Sequence, residues 1–218
     1  HNTTIGAHAV MFPTITASCF SQGCIEKGKT LQQKGSDHHY TTVSIASMAN
    51  TIDSFAAMEE CVFNKKYLNM EELVHLLDTN FEGAEDKRQM LIHRAPKFGN
   101  NIEQVDKYGY YVVNRIDESL HRFRDAHGGQ WTSLHATVVY NVEMGKKVGA
   151  LPDGRLAHTP LADNASPIIG MDVNGPTAVV NSLACCDEML PQSGMLLNQR
   201  FDPAIAAGEK GLDIIETV

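Results

Sequence analysis

The most reactive side chains in this sequence are five cysteines, at positions 19, 24, 61, 185 and 186. No two of them have the C-x-x-C spacing that zinc and redox sites use. Cys185 and Cys186 are adjacent, and adjacent cysteines rarely form a disulfide because the required geometry is strained. Reduced thiols are typical of proteins of the cytoplasm, so we expect a cytoplasmic protein.

Histidine beside aspartate could bind a metal, and Asp37, His38 and His39 form such a run. Neighbouring side chains on an extended strand point to opposite faces, so two adjacent histidines chelate one ion poorly. We therefore expect a solvated loop at this run and no metal site in the chain.

A glycine-rich run ending at Arg155 resembles a phosphate-binding loop without matching it. Arg155 stands where the loop needs lysine, and Leu156 stands where it needs serine or threonine. We therefore predict a structural turn, with Arg155 in a salt bridge that holds the following loop. The G-x-S-x-G elbow of serine hydrolases is also missing from the sequence.

Composition places the chain among ordinary globular proteins. It has 218 residues, 43% of them hydrophobic, and a formal net charge of −8. The acidic balance and the lack of a basic cluster argue against a nucleic-acid partner, and no apolar run is long enough to cross a membrane. The chain starts at His1 and stops within a helical pattern, so we expect it to be part of a longer polypeptide.

The first half of the sequence has helical periodicity. Apolar residues recur at three- and four-residue steps over 43–63, which predicts a helix. Asn69 and Glu72 have the spacing of a capping box at the start of a second helix. Further helices are predicted over 84–94 and 102–126.

The second half changes to an extended pattern. Residues 131–142 and 194–201 are predicted to form strands, the first of them buried on both faces as in a parallel sheet or barrel. Residues 152–154 fit a type I turn, and residues 156–176 form a long irregular loop, which is usually functional. Proline at the first turn predicts a helix over 176–190. The fold class is therefore α/β with several long helices.

Four motifs in this second half occur in a recognisable order. Residues 142–157 are V-E-M-G-K-K-V-G-A-L-P-D-G-R-L-A, and residues 160–167 are P-L-A-D-N-A-S-P. Residues 172–179 are D-V-N-G-P-T-A-V, and residues 194–203 are G-M-L-L-N-Q-R-F-D-P. The set resembles the glycyl radical enzymes of the pyruvate formate-lyase superfamily, and the resemblance extends over about residues 13–218. Its forms are more similar to the glycerol and diol dehydratases and related lyases than to pyruvate formate-lyase itself.

The chain departs from the family pattern at two places. Asn164 stands in the P-L-A-D motif where glycine is usual. Residues 35–40 are G-S-D-H-H-Y, where many members have G-G-A-x-Y-N. These departures leave the subfamily open.

The resemblance implies a fold and a mechanism. Such enzymes have a ten-stranded α/β barrel made of two half-barrels, and residues 1–218 would be an internal segment of the second half-barrel. A radical stored on a backbone glycine passes to a cysteine at the barrel centre, and the thiyl radical abstracts a substrate hydrogen. A radical-SAM iron–sulfur activase installs the glycyl radical. The intact enzyme is expected to be a homodimer that acts on a small organic molecule.

The two radical-bearing loops of the family are not expected in this chain. The glycine loop has the form R-V-x-G-Y, which does not occur in the sequence. The cysteine loop has the form G-C-V-E, and residues 23–26 are G-C-I-E. Because Lys27, Gly28 and Lys29 follow, this run resembles a separate C-I-E-x-G-K segment of the family, and Cys24 is expected to be a structural cysteine. The chain is therefore assigned no catalytic residue.

Substrate-lining residues are expected on the two predicted strands, which would point alternate side chains into the barrel. The candidates are Thr137, Val139, Leu197 and Gln199. The function implied by the resemblance is an anaerobic lyase or dehydratase that cleaves a C–O, C–N, C–S or C–C bond, with this segment inactive alone. The alternative is a catalytically inert scaffold or interaction module derived from the same barrel.

Overall fold

A computed structural model describes residues 2–137, 139–186, 191, 193–201, 203, 211, 213 and 216. The chain divides into two compact units, one made of residues 1–43 and 116–133 and the other of residues 44–115 and 134–218. The sheet in the described residues has two hydrogen-bonded strands. The fold is therefore α/β. Two strands do not test the predicted ten-stranded barrel.

The first unit begins with helices α1 (Asn2–Met11), α2 (Ile15–Cys19) and α3 (Cys24–Lys27), followed by a 3₁₀ turn at Leu31–Gln33. Strand β1 (Tyr40–Ser44) and strand β2 (Gln130–Leu134) lie side by side. At the end of both strands the Ile45 N–H donates to the Leu134 carbonyl at 2.8 Å, so the two strands run in parallel.

The second unit contains helix α4 (Met48–Ala57), which continues as a π-helical segment at Met58–Asn64. Helices α5 (Met70–Asp78), α6 (Glu85–Arg94) and most of α7 (Glu103–His121) follow, with α8 (Tyr140–Gly145) and α9 (Pro176–Ala184) later in the chain. One apolar cluster packs α4, α5 and α6 together. It consists of Ala57, Cys61, Val62, Leu68, Leu73, Leu76, Phe81, Leu91 and Ala95.

Local sequence signals are confirmed at several helix ends. The Asn69 side chain accepts the Glu72 N–H at 2.9 Å, and the Glu72 carboxylate accepts the Asn69 N–H at 2.9 Å. Pro176 occupies the first turn of α9. That helix ends at Ala184 rather than at 190, and residues 187–190 lie outside the described residues.

The predicted start of the first helix at residue 43 is wrong. The β-branched run Thr41, Thr42 and Val43 belongs to β1, whose burial alternates along the strand, because its backbone pairs with β2. The helix begins only after Ser47, which has a left-handed φ of 62°. Helix α7 ends at His121, five residues before the predicted end at 126.

The predicted strands at 131–142 and 194–201 are shorter than expected. Strand β2 ends at Leu134, and residues from Tyr140 onward form α8. In the second segment only Met195 forms a β-bridge, which pairs it with His135 in parallel. Beyond this bridge, Thr137 and Leu196 form hydrogen bonds with the loop at residues 163–166.

Helix α9 is fixed against the start of α7 by close contacts. The Ser182 hydroxyl accepts the Asn101 N–H at 2.8 Å. A Cβ added at Gly109 would lie 2.5 Å from the Cys186 sulfur, so only glycine admits this approach. Residues 146–175, between α8 and α9, form no helix or strand, which confirms the predicted irregular loop.

Candidate functional site

Arg155 holds the irregular loop by its backbone. Its guanidinium donates to the carbonyls of Gly149 at 2.8 Å, Gly145 at 2.9 Å and Pro160 at 3.3 Å, and also to that of Thr159. The predicted salt bridge is thus replaced by bonds to four carbonyls, because a planar five-donor group can serve several acceptors at once. The turn before it is confirmed, since the Gly154 N–H donates to the Leu151 carbonyl at 3.0 Å.

Asn50 and Asp153 continue this arrangement into α4. The Asn50 amide donates to the Asp153 carboxylate at 2.5 Å, and its carbonyl oxygen accepts the Ala162 N–H at 2.7 Å and the Ser47 hydroxyl. The other Asp153 oxygen accepts the Arg155 N–H at 2.9 Å. Burial raises the pKa of Asp153. We call Asn50, Asp153 and Arg155 the loop clasp; it fixes residue 162, just before the 163–166 loop.

A second buried acid lies close to the clasp. Asp53 is fully buried and accepts the Phe98 N–H at 2.8 Å. Burial raises the pKa of Asp53 to about 7, partly offset by the charge of Lys97. Lys97, itself buried, donates to the carbonyls of Leu91 at 3.2 Å and Asp153 at 3.4 Å. The other Asp53 oxygen has no hydrogen-bond partner in the described part of the chain, and Lys97 lines a cavity of about 300 Å³ with Asn50 and Asp153.

The 163–166 loop inserts where β2 would otherwise pair with residues 196–198. The side-chain oxygen of Asn164 accepts the Thr137 N–H and, at 3.0 Å, the Thr137 hydroxyl. The Ala165 N–H donates to the Leu196 carbonyl at 3.1 Å. At His135, just after β2, pairing with the 195–196 segment is still present, because the Leu196 N–H donates to the His135 carbonyl at 3.0 Å. Beyond His135, bonds to the 163–166 loop therefore stand in place of β pairing.

His135 lies fully buried at this point. In the described part of the chain neither of its ring nitrogens has a hydrogen-bond partner, and the Asn164 amide nitrogen has none either. Burial lowers the pKa of His135 to about 4, so the ring is neutral near pH 7. We call His135, Thr137 and Asn164 the polar junction.

A cleft of about 550 Å³ lies along the same loop. Asp163 and Ser166 line it, together with Asn198, whose amide donates to Asp163 at 2.6 Å. Gln199 also lines it and donates to the Pro176 carbonyl at 3.1 Å. Its volume is within the range of small-molecule sites. The residues on either side of Asn164 and Ala165 thus face a space that a small organic molecule fits.

The four predicted substrate-lining residues are placed differently from one another. Gln199 lines the cleft, and Thr137 belongs to the buried polar junction. Val139 is 70% exposed in the turn before α8, and Leu197 is half-buried. Sequence reasoning missed His135. Asn164 was identified from the sequence as a departure from the family pattern, but its contact with Thr137 was not predicted.

The other sequence candidates lie outside the cleft. Cys24 is buried, and its sulfur lies against Gly35, where an added Cβ would be 2.9 Å away. His38 is exposed as expected, but His39 is half-buried and its Nε2 lies 3.1 Å from the Asp125 carboxylate. Among the described residues no group of three His, Cys, Asp or Glu side chains could hold a metal ion. No described helix is long and apolar enough to span a bilayer.

Comparison with known proteins identifies the class. Residues 1–145 match the family model "Pyruvate formate lyase-like", and residues 161–218 match the model "Glycine radical". The chain therefore belongs to the pyruvate formate lyase-like family of glycyl radical enzymes, and the resemblance stated from the motifs is confirmed.

Individual relatives are dehydratases and lyases. The chain is 34% identical over 201 residues to trans-4-hydroxy-L-proline dehydratase of Clostridioides difficile, covering 92% of this chain and 25% of the relative. It is 37% identical over 169 residues to isethionate sulfite-lyase of Oleidesulfovibrio alaskensis, covering 74% and 20%. The solved B12-independent glycerol dehydratase of Clostridium butyricum superposes with a TM-score of 0.91 at 33% identity, covering 99% and 28%. The chain thus spans about a quarter of the length of the relatives it matches.

Proposed function

We propose that the complete polypeptide containing this chain is a glycyl radical enzyme that eliminates a group from a small organic substrate, with dehydration as the first candidate reaction. The observation that supports this most is the similarity to the glycerol dehydratase over 99% of the chain. The similarity to hydroxyproline dehydratase over 92% supports the same C–O chemistry. The isethionate sulfite-lyase match keeps C–S cleavage as the second candidate.

In this proposal the chain contributes part of the substrate cavity wall. Thr137, Val139, Leu197 and Gln199 remain the proposed lining residues, of which Gln199 lies in the cleft. The radical glycine loop and the radical cysteine loop belong to other segments, and a separate radical-SAM iron–sulfur activase generates the radical. Carbon and sulfur radicals react with water-borne donors and oxygen, so the cavity must be closed during turnover. We expect a cytoplasmic homodimer.

The test is anaerobic activation of the complete polypeptide with a glycyl radical activase. We expect an organic-radical EPR doublet, and we expect formation of an aldehyde or imine product from at least one of glycerol, 1,2-propanediol and trans-4-hydroxy-L-proline. Sulfite release from isethionate would instead identify C–S cleavage. The 218-residue chain treated in the same way should give no doublet, because the proposal places both radical residues elsewhere.

An inert outcome would identify the alternative function. If the complete polypeptide forms no radical with several activases, while a known dehydratase treated in parallel does, the enzyme proposal is wrong. The scaffold interpretation would then account for a barrel wall retained without chemistry. A doublet on the 218-residue chain alone would also contradict the proposed placement of the radical residues.

A further inference from the structure

The cavity of about 300 Å³ beside the loop clasp combines an apolar wall with a buried cation. The clasp residues line one side of it, Lys97 lines it as well, and Ile169 is the one lining residue that it shares with the 550 Å³ cleft among the described residues. Its volume is at the lower end of the range of small-molecule sites, about 300–1,000 Å³. The apolar wall includes Ile92, Leu156, Leu161, Ala162, Ile168 and Met171.

Lys97 brings the cation to this wall. It follows the end of α6 and is only 6% exposed, so its ammonium group is buried. An ammonium group has three N–H donors. Two of them reach the carbonyls of Leu91 at 3.2 Å and Asp153 at 3.4 Å, which are long distances for hydrogen bonds. The third donor has no bonded acceptor among the described residues, so the group can bind a ligand in the cavity without losing either contact.

The charge of Lys97 is not neutralised by an ion pair. None of the ion pairs within the described part of the chain includes it. Burial raises the pKa of both Asp53 and Asp153, and the Lys97 charge offsets part of the rise. With a pKa of about 7, Asp53 is partly protonated near neutral pH and supplies only part of a negative charge. Buried charges in proteins are normally paired, so the ammonium group favours an anionic partner.

The other charged groups of the wall are already occupied. Arg88 is paired with Glu85 at 2.6 Å, and the Arg155 guanidinium donates to four carbonyls. Both Asp153 oxygens accept hydrogen bonds from the clasp. Lys97 is therefore the charged group available to a ligand. A carboxylate forms a strong, charge-assisted bond with an ammonium group, and a short alkyl chain matches the apolar wall.

We propose that this cavity binds a short-chain monocarboxylate, with its carboxylate paired to Lys97 and its alkyl chain packed against the apolar wall. The site is distinct from the cleft proposed for the substrate, and the inference does not depend on the proposed reaction. Lys97 contacts Asp153, which is bonded to Asn50 and to the Arg155 N–H. A ligand that binds only the folded form raises its stability, so the carboxylate should stabilise the clasp and the loop that it holds.

The experiment is calorimetric titration of the complete, unactivated polypeptide with sodium butyrate and, separately, with 1-butanol. We expect one butyrate per chain, bound about tenfold or more tightly than 1-butanol, which is the contribution of one charged hydrogen bond. Lys97→Met keeps the length of the side chain and should remove this preference. Ile168→Trp should fill the cavity and prevent binding of both compounds while keeping Lys97. Lys87→Met is the matched control, because Lys87 pairs with Glu72 on the exposed surface and should not affect binding.

Several results would overturn the inference. They are wild-type protein that does not prefer butyrate to 1-butanol, and folded Lys97→Met protein that binds butyrate as wild type does. Loss of binding in Gln199→Ala but not in Ile168→Trp would place butyrate in the cleft instead. If circular dichroism shows that Lys97→Met does not fold, Ile168→Trp decides, and retained binding in that variant refutes the site. Because binding is measured without a radical, a failure of activation refutes the proposed function alone.

Discussion

The loop clasp and the polar junction are two buried polar clusters in the same unit, and they differ in how completely they are bonded. In the clasp, the side chains of Asn50, Asp153 and Arg155 all have partners. In the junction, His135 and Asn164 retain unpartnered nitrogens within the described residues. The clasp side chains therefore join more protein groups through hydrogen bonds than the junction side chains do.

The difference predicts how strongly each cluster stabilises the fold. Removing a clasp residue should leave buried protein groups without partners and cost stability. Removing the Asn164 side chain should cost less stability, because its described bonds go to one residue, Thr137. The predictions below test this division, beginning with the largest expected effect.

Arg155→Met should be the most destabilising change, at about 4 kcal/mol in the free energy of unfolding, since four carbonyls lose a donor in a partly buried site. Urea denaturation of the chain measures it. Lys146→Met serves as the control, because the Lys146 ammonium pairs with Glu143 on the exposed surface, and its loss should change stability by less than about 1 kcal/mol. Equal effects would mean that the clasp does not hold the loop.

Asn50→Ala and Asn164→Gly compare the two clusters directly. Asn50→Ala strands the Asp153 carboxylate and the Ala162 N–H, so we expect a loss of about 3 kcal/mol. Asn164→Gly strands the Thr137 N–H and hydroxyl but relieves a left-handed backbone, so we expect a smaller loss, of about 1–2 kcal/mol. The two losses are measured as shifts in the denaturant midpoint at an unchanged slope. A larger loss for Asn164→Gly than for Asn50→Ala would contradict the distinction between the two clusters.

Sequence alone predicted those features that depend on neighbouring residues. The capping box at Asn69 and the start of α9 at Pro176 are set within one helical turn, and both were predicted. The family could also be predicted, because the order of the sequence motifs identifies it without any knowledge of tertiary contacts. These signals are local or collinear, so they do not require the tertiary fold.

The ends of the strands were not predictable in this way. Strand β2 ends at Leu134, and three residues later the Thr137 N–H bonds to Asn164, which is 27 residues away in the chain. The start of α4 is displaced because residues 41–43 pair with a strand almost a hundred residues later. The burial of His135 also depends on long-range packing, so it could not be predicted from neighbouring residues.

The pH dependence of stability should reveal the buried histidine. The pKa of His135 is about 4 in the folded chain and 6.5 when unperturbed. As pH falls from 6.5 to 4 the unfolded chain binds a proton that the folded chain does not, so stability is lost by about 1.4 kcal/mol per pH unit.

His135→Gln does not titrate and isolates that contribution. The difference in unfolding free energy between wild type and variant should shrink across this window, while other groups, including Asp53, cancel. Asp53 has the opposite sign: its pKa of about 7 makes the folded chain more stable as pH falls below 7. A constant difference between wild type and variant from pH 7 to 4 would show that His135 is not buried in a neutral form.

The capping box at the start of α5 is an exposed site whose hydrogen bonds are all formed, so its stability provides a reference for the two buried clusters. Asn69 and Glu72 bond each other's backbone N–H groups in water, at 2.9 Å each. Asn69→Ala should therefore cost only about 1 kcal/mol. Thr79→Ala, at the other end of α5, is the control for lost helix propensity and side-chain contact. If Asn69→Ala costs as much as Asn50→Ala, burial does not explain the strength of the clasp, and pairing alone would have to account for it.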